Sequence, residues 1–309
     1  MVKVIQSARA APVAGGVKDR IVAFMRDAST EITPAEENRL PELAAILPPG
    51  TPVNVAHTPN ASFADVIRAA IALRRVGLLA TPHIAVRRVA NTAALRGALA
   101  ELRAGGVEHI FLIAGDAARP IGEFAGTLDV LRSGLLEESG ITRIGVAGHP
   151  GGHNAVSRAT LWETLEAKQA IAARAAMSMH IVTQFGVDGG AFRTWQRELM
   201  QRGIHLPVRV GIAGPASIAR LVHFAIQCGI AQSARALLRD LNAAGRSSAL
   251  AVTPDQHLLA LAEAPLPAQT LGPHFFAFGG VLETARWMRK IAAGAFSIDA
   301  ESGKFRLDE

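Results

Sequence analysis

Five short apolar stretches contain, or end in, side chains that can move a proton or hold a polar ligand. Glu31 stands inside Ser29–Thr33, Asn54 and His57 lie in Pro52–His57, and Asp116 closes His109–Asp116. Arg143–Pro150 carries His149 and runs into Gly151, Gly152, His153 and Asn154, while His180–Val187 carries Gln184 with Asp188 just beyond. Glu31 lies inside its apolar run rather than after it, which suits a role at a strand end better than the alternative, a carboxylate favoured at the start of a following helix. Asp116, after Gly115, suits a turn or a helix N-cap as well as it suits a functional carboxylate. His149 and His153 are four residues apart but separated by Pro150, Gly151 and Gly152, so no helix presents both to a metal. The two glycines suit a loop that approaches an anionic or planar ligand through its backbone.

These residues need a scaffold that gathers strand ends. Eight apolar runs rich in β-branched residues recur along the chain: the five above, with Pro82–Arg87, Pro207–Ala213 and His274–Phe278. Near-continuous apolarity is expected of strands covered on both faces, as in a parallel sheet. Amphipathic helical patterns alternate with them at Phe63–Val76, Thr92–Ala104, Trp162–Met177 and Gly190–Gln201. Eight such units predict an α/β fold, a (β/α)8 TIM barrel, with the polar residues at the C-terminal ends of the strands. The long interval Gly214–Pro273 predicts extra helices before the last strand. Residues 1–27 are expected to form an N-terminal helical arm, and 28–309 a single barrel domain.

Composition narrows the function classes. The chain has 309 residues, 50% of them hydrophobic, which is ample for a buried core. One cysteine, Cys228, excludes a disulfide framework and a cysteine-rich metal site. A net charge of +6 is spread as single arginines at helical spacing, without tyrosine, which argues for solvated helix faces over a nucleic-acid surface. Neither a secretory h-region nor an apolar run of membrane-spanning length is evident, so the expectation is a cytosolic protein with no membrane partner. The alanine-rich helices leave the choice between a monomer and a homo-oligomer open.

Taken in order, several motifs resemble the methylenetetrahydrofolate reductase family, the flavin-dependent barrels of one-carbon metabolism. They are Glu31 in STEITP, Pro82–His83, the segment GVEHIFLIAGD ending at Asp116, the loop His149–His153 (HPGGH), Thr183–Gln184–Phe185 and His274–Phe275–Phe276. The resemblance implies that Glu31 is the acid that protonates N10 of the folate, and that Asp116 is a carboxylate near flavin and pterin. It implies substrate binding by Gln184 and Phe276. It places His83, Gly115, Asp116, Ala125, His149, His153, Glu166 and Gln169 around an FAD, with NADH or NADPH as electron donor.

The motifs also depart from the family pattern. Ala114 stands where the family has arginine, His149 where it has tyrosine, Ala56 where it has a hydroxyl residue, and Ala173 where a lysine is expected. The implied reaction is interconversion of 5,10-methylenetetrahydrofolate and 5-methyltetrahydrofolate by hydride transfer through FAD. The rival readings are a folate-binding barrel without flavin and a pterin-dependent methyltransferase.

Overall fold

The computed structural model describes residues 15–186, 189–217, 220 and 251–308. Eight parallel strands close into a barrel: β1 (Ser29–Ile32), β2 (Pro52–Val55), β3 (Leu79–Ala85), β4 (His109–Ile113), β5 (Arg143–Gly148), β6 (Ser178–Thr183), β7 (Val208–Ala213) and β8 (Thr270–Phe276). Neighbours in sequence are neighbours in space, and β8 returns to pair with β1 through Ser29 opposite His274. The expected (β/α)8 barrel is the observed fold. Two antiparallel pairs lie outside it, Phe296–Ile298 with Phe305–Leu307 and Ala216–Ser217 with Ala251–Val252.

Alternation along the strands separates two environments. Val53 and Val55, Ile110 and Leu112, Ile144 and Val146, and Val210 and Ile212 are buried in one apolar cluster with helix residues such as Leu73 and Leu99. Many of the intervening positions, which point toward the barrel axis, are polar or small, among them Asn54, His83, Gly145 and Gly211, with Phe111 and Val182 as apolar exceptions. Sheet stability therefore comes from the shell between strands and helices, and the axis is free to carry function.

Local signals set the helix limits. Phe63–Arg75 opens where the Ser62 hydroxyl accepts from the Asp65 amide, and Thr92–Ala104 opens where Asn91 Oδ1 accepts from the Ala94 amide at 2.8 Å. The helix expected over Trp162–Met177 instead spans Arg158–Arg174. Ser157 caps it by accepting from the Thr160 amide, so it begins a turn earlier, and Ala176, with φ at 53°, lies beyond its end. In the N-terminal arm, helix Val17–Met25 buries Ile21, Phe24 and Met25 in the main core, and Arg20 Nε donates to the Ala262 carbonyl. Of the expected insertion, helix Asp255–Ala262 is described. Asp188 and Cys228 lie outside the described residues.

Candidate active site

At the C-terminal end of the barrel, a cavity of 530 Å³ opens between the ends of β4 and β5, residues 125–128 and helix Arg158–Arg174. Of the residues expected around a cofactor, Gly115, Ala125, His149 and His153 line it. Gly115 adopts φ of 88°, and a Cβ there would stand 3.0 Å from the Ala85 Cβ, so only glycine lets β4 turn out this close to β3. The His149 and His153 rings meet edge to face at 5.3 Å. His153 Nδ1 accepts from the Ala155 amide at 3.1 Å, which leaves Nε2 to carry its proton. Burial, the neighbouring His153 and Lys168 lower the His149 pKa to about 4, so this ring is neutral near pH 7.

Other expected residues stand elsewhere. Glu166 and Gln169 are corrected by the geometry: both are on the far side of helix Arg158–Arg174. Glu166 pairs with Arg202 at 3.1 Å, and Gln169 donates to the Gly203 carbonyl and accepts from the His205 amide. Trp162, Leu165 and Lys168 face the cavity in their place. A helix turns 100° per residue, so a shift of one position carries a side chain away from the site. Lys168 is the residue that sequence reasoning missed. Its signal is a lysine in register with an inward apolar stripe, i, i+3 and i+6 from Trp162. It is buried, and no carboxylate lies within ion-pair distance among the described residues. Burial lowers its pKa to about 8, so its ammonium stays protonated at pH 7.

The cavity thus carries cations at positions other than Ala114 and Ala173, Lys168 lying about one and a half turns before Ala173 on the same helix. Arg87, just past β3, also lines the cavity, and its Nε donates to the Ala125 carbonyl at 2.8 Å. Its neighbour Arg88 grips Asp116, with contacts of 2.7–3.0 Å to both carboxylate oxygens, and also donates to the Thr58 carbonyl at 3.1 Å. Asp116 therefore does not act as an isolated turn residue; it ties the ends of β2, β3 and β4 together. His57 lies in the field of this pair, and burial outweighs the nearby Ala61 backbone in lowering its pKa. His83 is deeper, inside the barrel: it contacts Asn54 Nδ2 at 3.1 Å and packs against Phe111, and burial lowers its pKa to about 3. It is a neutral interior ring, away from the cavity lining.

Of the other expected residues, Glu31, Gln184 and Phe276 lie at strand ends outside the cavity lining. Glu31 sits opposite Asn54 in the sheet register, next to the end of β1. Burial, reinforced by the like charge of Glu36, pushes its carboxyl pKa up to about 8. Glu36 is fixed by the Thr33 amide and hydroxyl, so that like charge is held in place. Gln184 follows β6, and its buried Oε1 has no hydrogen-bond partner among the described residues. A Cβ on Gly151 would lie 2.7 Å from Gln184 Nε2, so the bare backbone of the HPGGH loop allows it to close against this amide. Phe276 joins Phe185 and Phe278 in an aromatic wall, with ring centroids 5.0–6.3 Å apart. Phe278 holds φ of 49°, a left-handed backbone that a bulky residue adopts only at a cost.

The strand ends thus carry a protonated carboxyl at Glu31, an amide oxygen at Gln184 and an aromatic wall at Phe276, none of which lines the cation-bearing cavity. Among the described residues, no group of three or more His, Cys, Asp or Glu side chains could hold a metal, and no helix is long and apolar enough to cross a membrane.

A family model described as methylenetetrahydrofolate reductase matches residues 38–247, well over half of the chain. Solved structures of similar shape include oxaloacetate acetylhydrolase with the inhibitor 3,3-difluorooxalacetate, at 9% identity over 88% of this chain and 82% of that one, TM-score 0.45. A mutant tryptophan synthase alpha-subunit from Pyrococcus furiosus matches at 12% identity over 86% and 97%, TM-score 0.45. Dihydropteroate synthase from Thermus thermophilus in complex with 6HMPPP matches at 13% identity over 84% and 90%, TM-score 0.40.

Proposed function

The chain belongs to the methylenetetrahydrofolate reductase family, and from that premise we propose that it interconverts 5,10-methylenetetrahydrofolate and 5-methyltetrahydrofolate with FAD as the hydride carrier. The observation that carries this reading is Glu31, a carboxyl group at the barrel mouth whose pKa of about 8 keeps it protonated at neutral pH. Opening the methylene bridge requires a proton at N10 of the folate, and a carboxyl that is neutral at pH 7 can give one.

The residues present fit a dianionic flavin cofactor. Lys168 is a buried cation without a counter-ion among the described residues, Arg87 is a second cation on the lining, and the first turn of a 17-residue helix, with Arg158, Thr160 and Leu161, borders the same cavity. Together they would hold the diphosphate, with helix N-terminal amides contributing. His153 Nε2 and the turn at Gly115 would contact the remainder. FAD, when bound, supplies hydride transfer. These cations favour the flavin enzyme over a folate-binding barrel without flavin. NADH or NADPH is the proposed reductant.

The chain's own groups do the rest. Gln184 Oε1, buried and without a partner among the described residues, accepts a hydrogen bond from the pterin, and Gly151 leaves room for that amide. Phe276 and its aromatic neighbours give the ring a flat wall. Asp116, clamped by Arg88, stays fixed at the strand ends and orients the pterin. Glu31 delivers its proton to N10, which opens the bridge to a cation at N5 of the folate. In the reverse direction the ionised Glu31 takes that proton back.

Glu31→Gln tests this directly. The variant is expected to lose folate turnover by roughly a thousandfold, within the range of general acid catalysis. Its flavin, visible as yellow absorbance, should still be reduced by the pyridine nucleotide at a near-normal rate. Retained folate turnover would remove Glu31 as the acid, and a colourless protein that takes up no FAD would remove the flavin reading.

A further inference from the structure

A second cavity, of 540 Å³, lies at the opposite, N-terminal end of the barrel. Barrels of this class fill that region with layers of branched apolar side chains. Here the axial positions are Ser29, Asn54, Thr81, His180 and Arg209, all of which line the cavity, and Gly145 adds no side chain. A Cβ on Gly145 would lie 2.7 Å from the Phe111 ring and 3.1 Å from the His180 ring, so that glycine makes space for both.

The cavity carries cations that the protein neutralises incompletely. Arg209 donates to the backbone carbonyl of Asp27, and no carboxylate lies within ion-pair distance of it among the described residues. The Asp27 side chain also lines the cavity and adds a favourable field to Arg209. Arg143, at the rim, pairs with Glu108 at 3.3 Å and contacts His109 Nε2 at 3.2 Å, which leaves guanidinium capacity to spare. His109 and His180 are both neutral rings, lowered by burial to about 4 and about 3. Leu79, Met177, Met179, Leu206 and Leu271 form apolar walls around these groups.

A half-exposed guanidinium lining a partly apolar chamber is positioned to take an anion that enters it. We propose that the N-terminal end of the barrel is a second binding site, for a small organic anion with a carboxylate or sulfonate on a flat apolar body. The acidic group meets Arg209 and Arg143, and the body lies against the methionine and leucine walls. The site is separate from the mouth, where Lys168 and Arg87 serve the cofactor.

The probe is 8-anilinonaphthalene-1-sulfonate, followed by fluorescence on the full chain, against its uncharged analogue N-phenyl-1-naphthylamine. The sulfonate is expected to bind as one saturable class, at least roughly tenfold tighter than the uncharged analogue, as for a charge-assisted contact. Arg143→Ala and Arg209→Met should each remove that preference, while Lys168→Met at the other end leaves it within about twofold. Arg143 is exposed at the rim, so its variant keeps the test valid if Arg209→Met fails to fold. Equal binding of the two probes, an unchanged preference in Arg143→Ala, or loss of binding in Lys168→Met would overturn the proposal.

Discussion

The two ends of the barrel hold cavities of nearly equal volume, 530 and 540 Å³, yet they differ in the kind of charge they contain. At the mouth, burial acts on groups that can give up their charge. It pushes Glu31 up to about 8, Lys168 down to about 8 and His149 down to about 4. At the base the principal charges are guanidinium groups. Burial lowers Arg209 only to about 10, so it stays cationic at any physiological pH. The same desolvation therefore poises one end for proton transfer and leaves the other suited to holding an anion without chemistry.

The largest expected effect is the roughly thousandfold loss in Glu31→Gln, which is confined to the mouth. Titration of the wild type sharpens the contrast. Glu31 must be protonated to open the bridge, so with flavin in excess the reductive rate should be flat from about pH 6 to 7.5. Above the Glu31 pKa of about 8 it should fall tenfold per pH unit, reaching roughly a thirtyfold loss at pH 9.5. The reverse reaction needs the ionised carboxylate, so its rate should rise with pH up to the same value. Probe binding at the base should be flat to about pH 9, because Arg209, lowered to about 10, stays largely cationic below that.

Lys168→Met comes next. It keeps the bulk of the side chain and removes the charge, and FAD affinity, measured by flavin fluorescence, should weaken roughly tenfold. An unchanged affinity would move the diphosphate to Arg87 and the helix N-terminus. The smallest change is expected from Gly151→Ala. The added Cβ would crowd Gln184 Nε2, and KM for folate should rise about threefold to tenfold with flavin affinity unaltered. A larger loss in flavin binding than in folate KM would place the loop with the cofactor instead.

The scaffold was largely legible in the amino-acid order because strand and helix periods differ. Thr92–Ala104 is bounded by Asn91 and Gly105, and the observed helix has those limits. Strand limits were less legible. β3 starts at Leu79, three residues before the proline from which its run was expected, because pairing with β2 overrides local composition. Glu31 could be read as a partly enclosed strand residue since its neighbours in sequence, Thr30 and Ile32, are also its neighbours in the strand. The cofactor side was harder. Glu166 and Gln169 match in type, but the helix phase, set by Trp162 and Leu165 packing inward, turns both outward and brings Lys168 in. The clamp of Arg88 on Asp116 spans 28 residues and two strands, a pairing that only closure of the sheet creates. The polar base could be seen residue by residue, but that these positions share one chamber depends on strand stagger.

The central claim is that the Glu31 carboxyl is protonated at neutral pH. A 13C NMR titration of protein labelled at glutamate side-chain carboxyls, with the Glu31 signal assigned by its absence from Glu31→Gln, measures that state without any turnover. A midpoint near 8 is the predicted result; a midpoint near the ordinary 4.5 would contradict it.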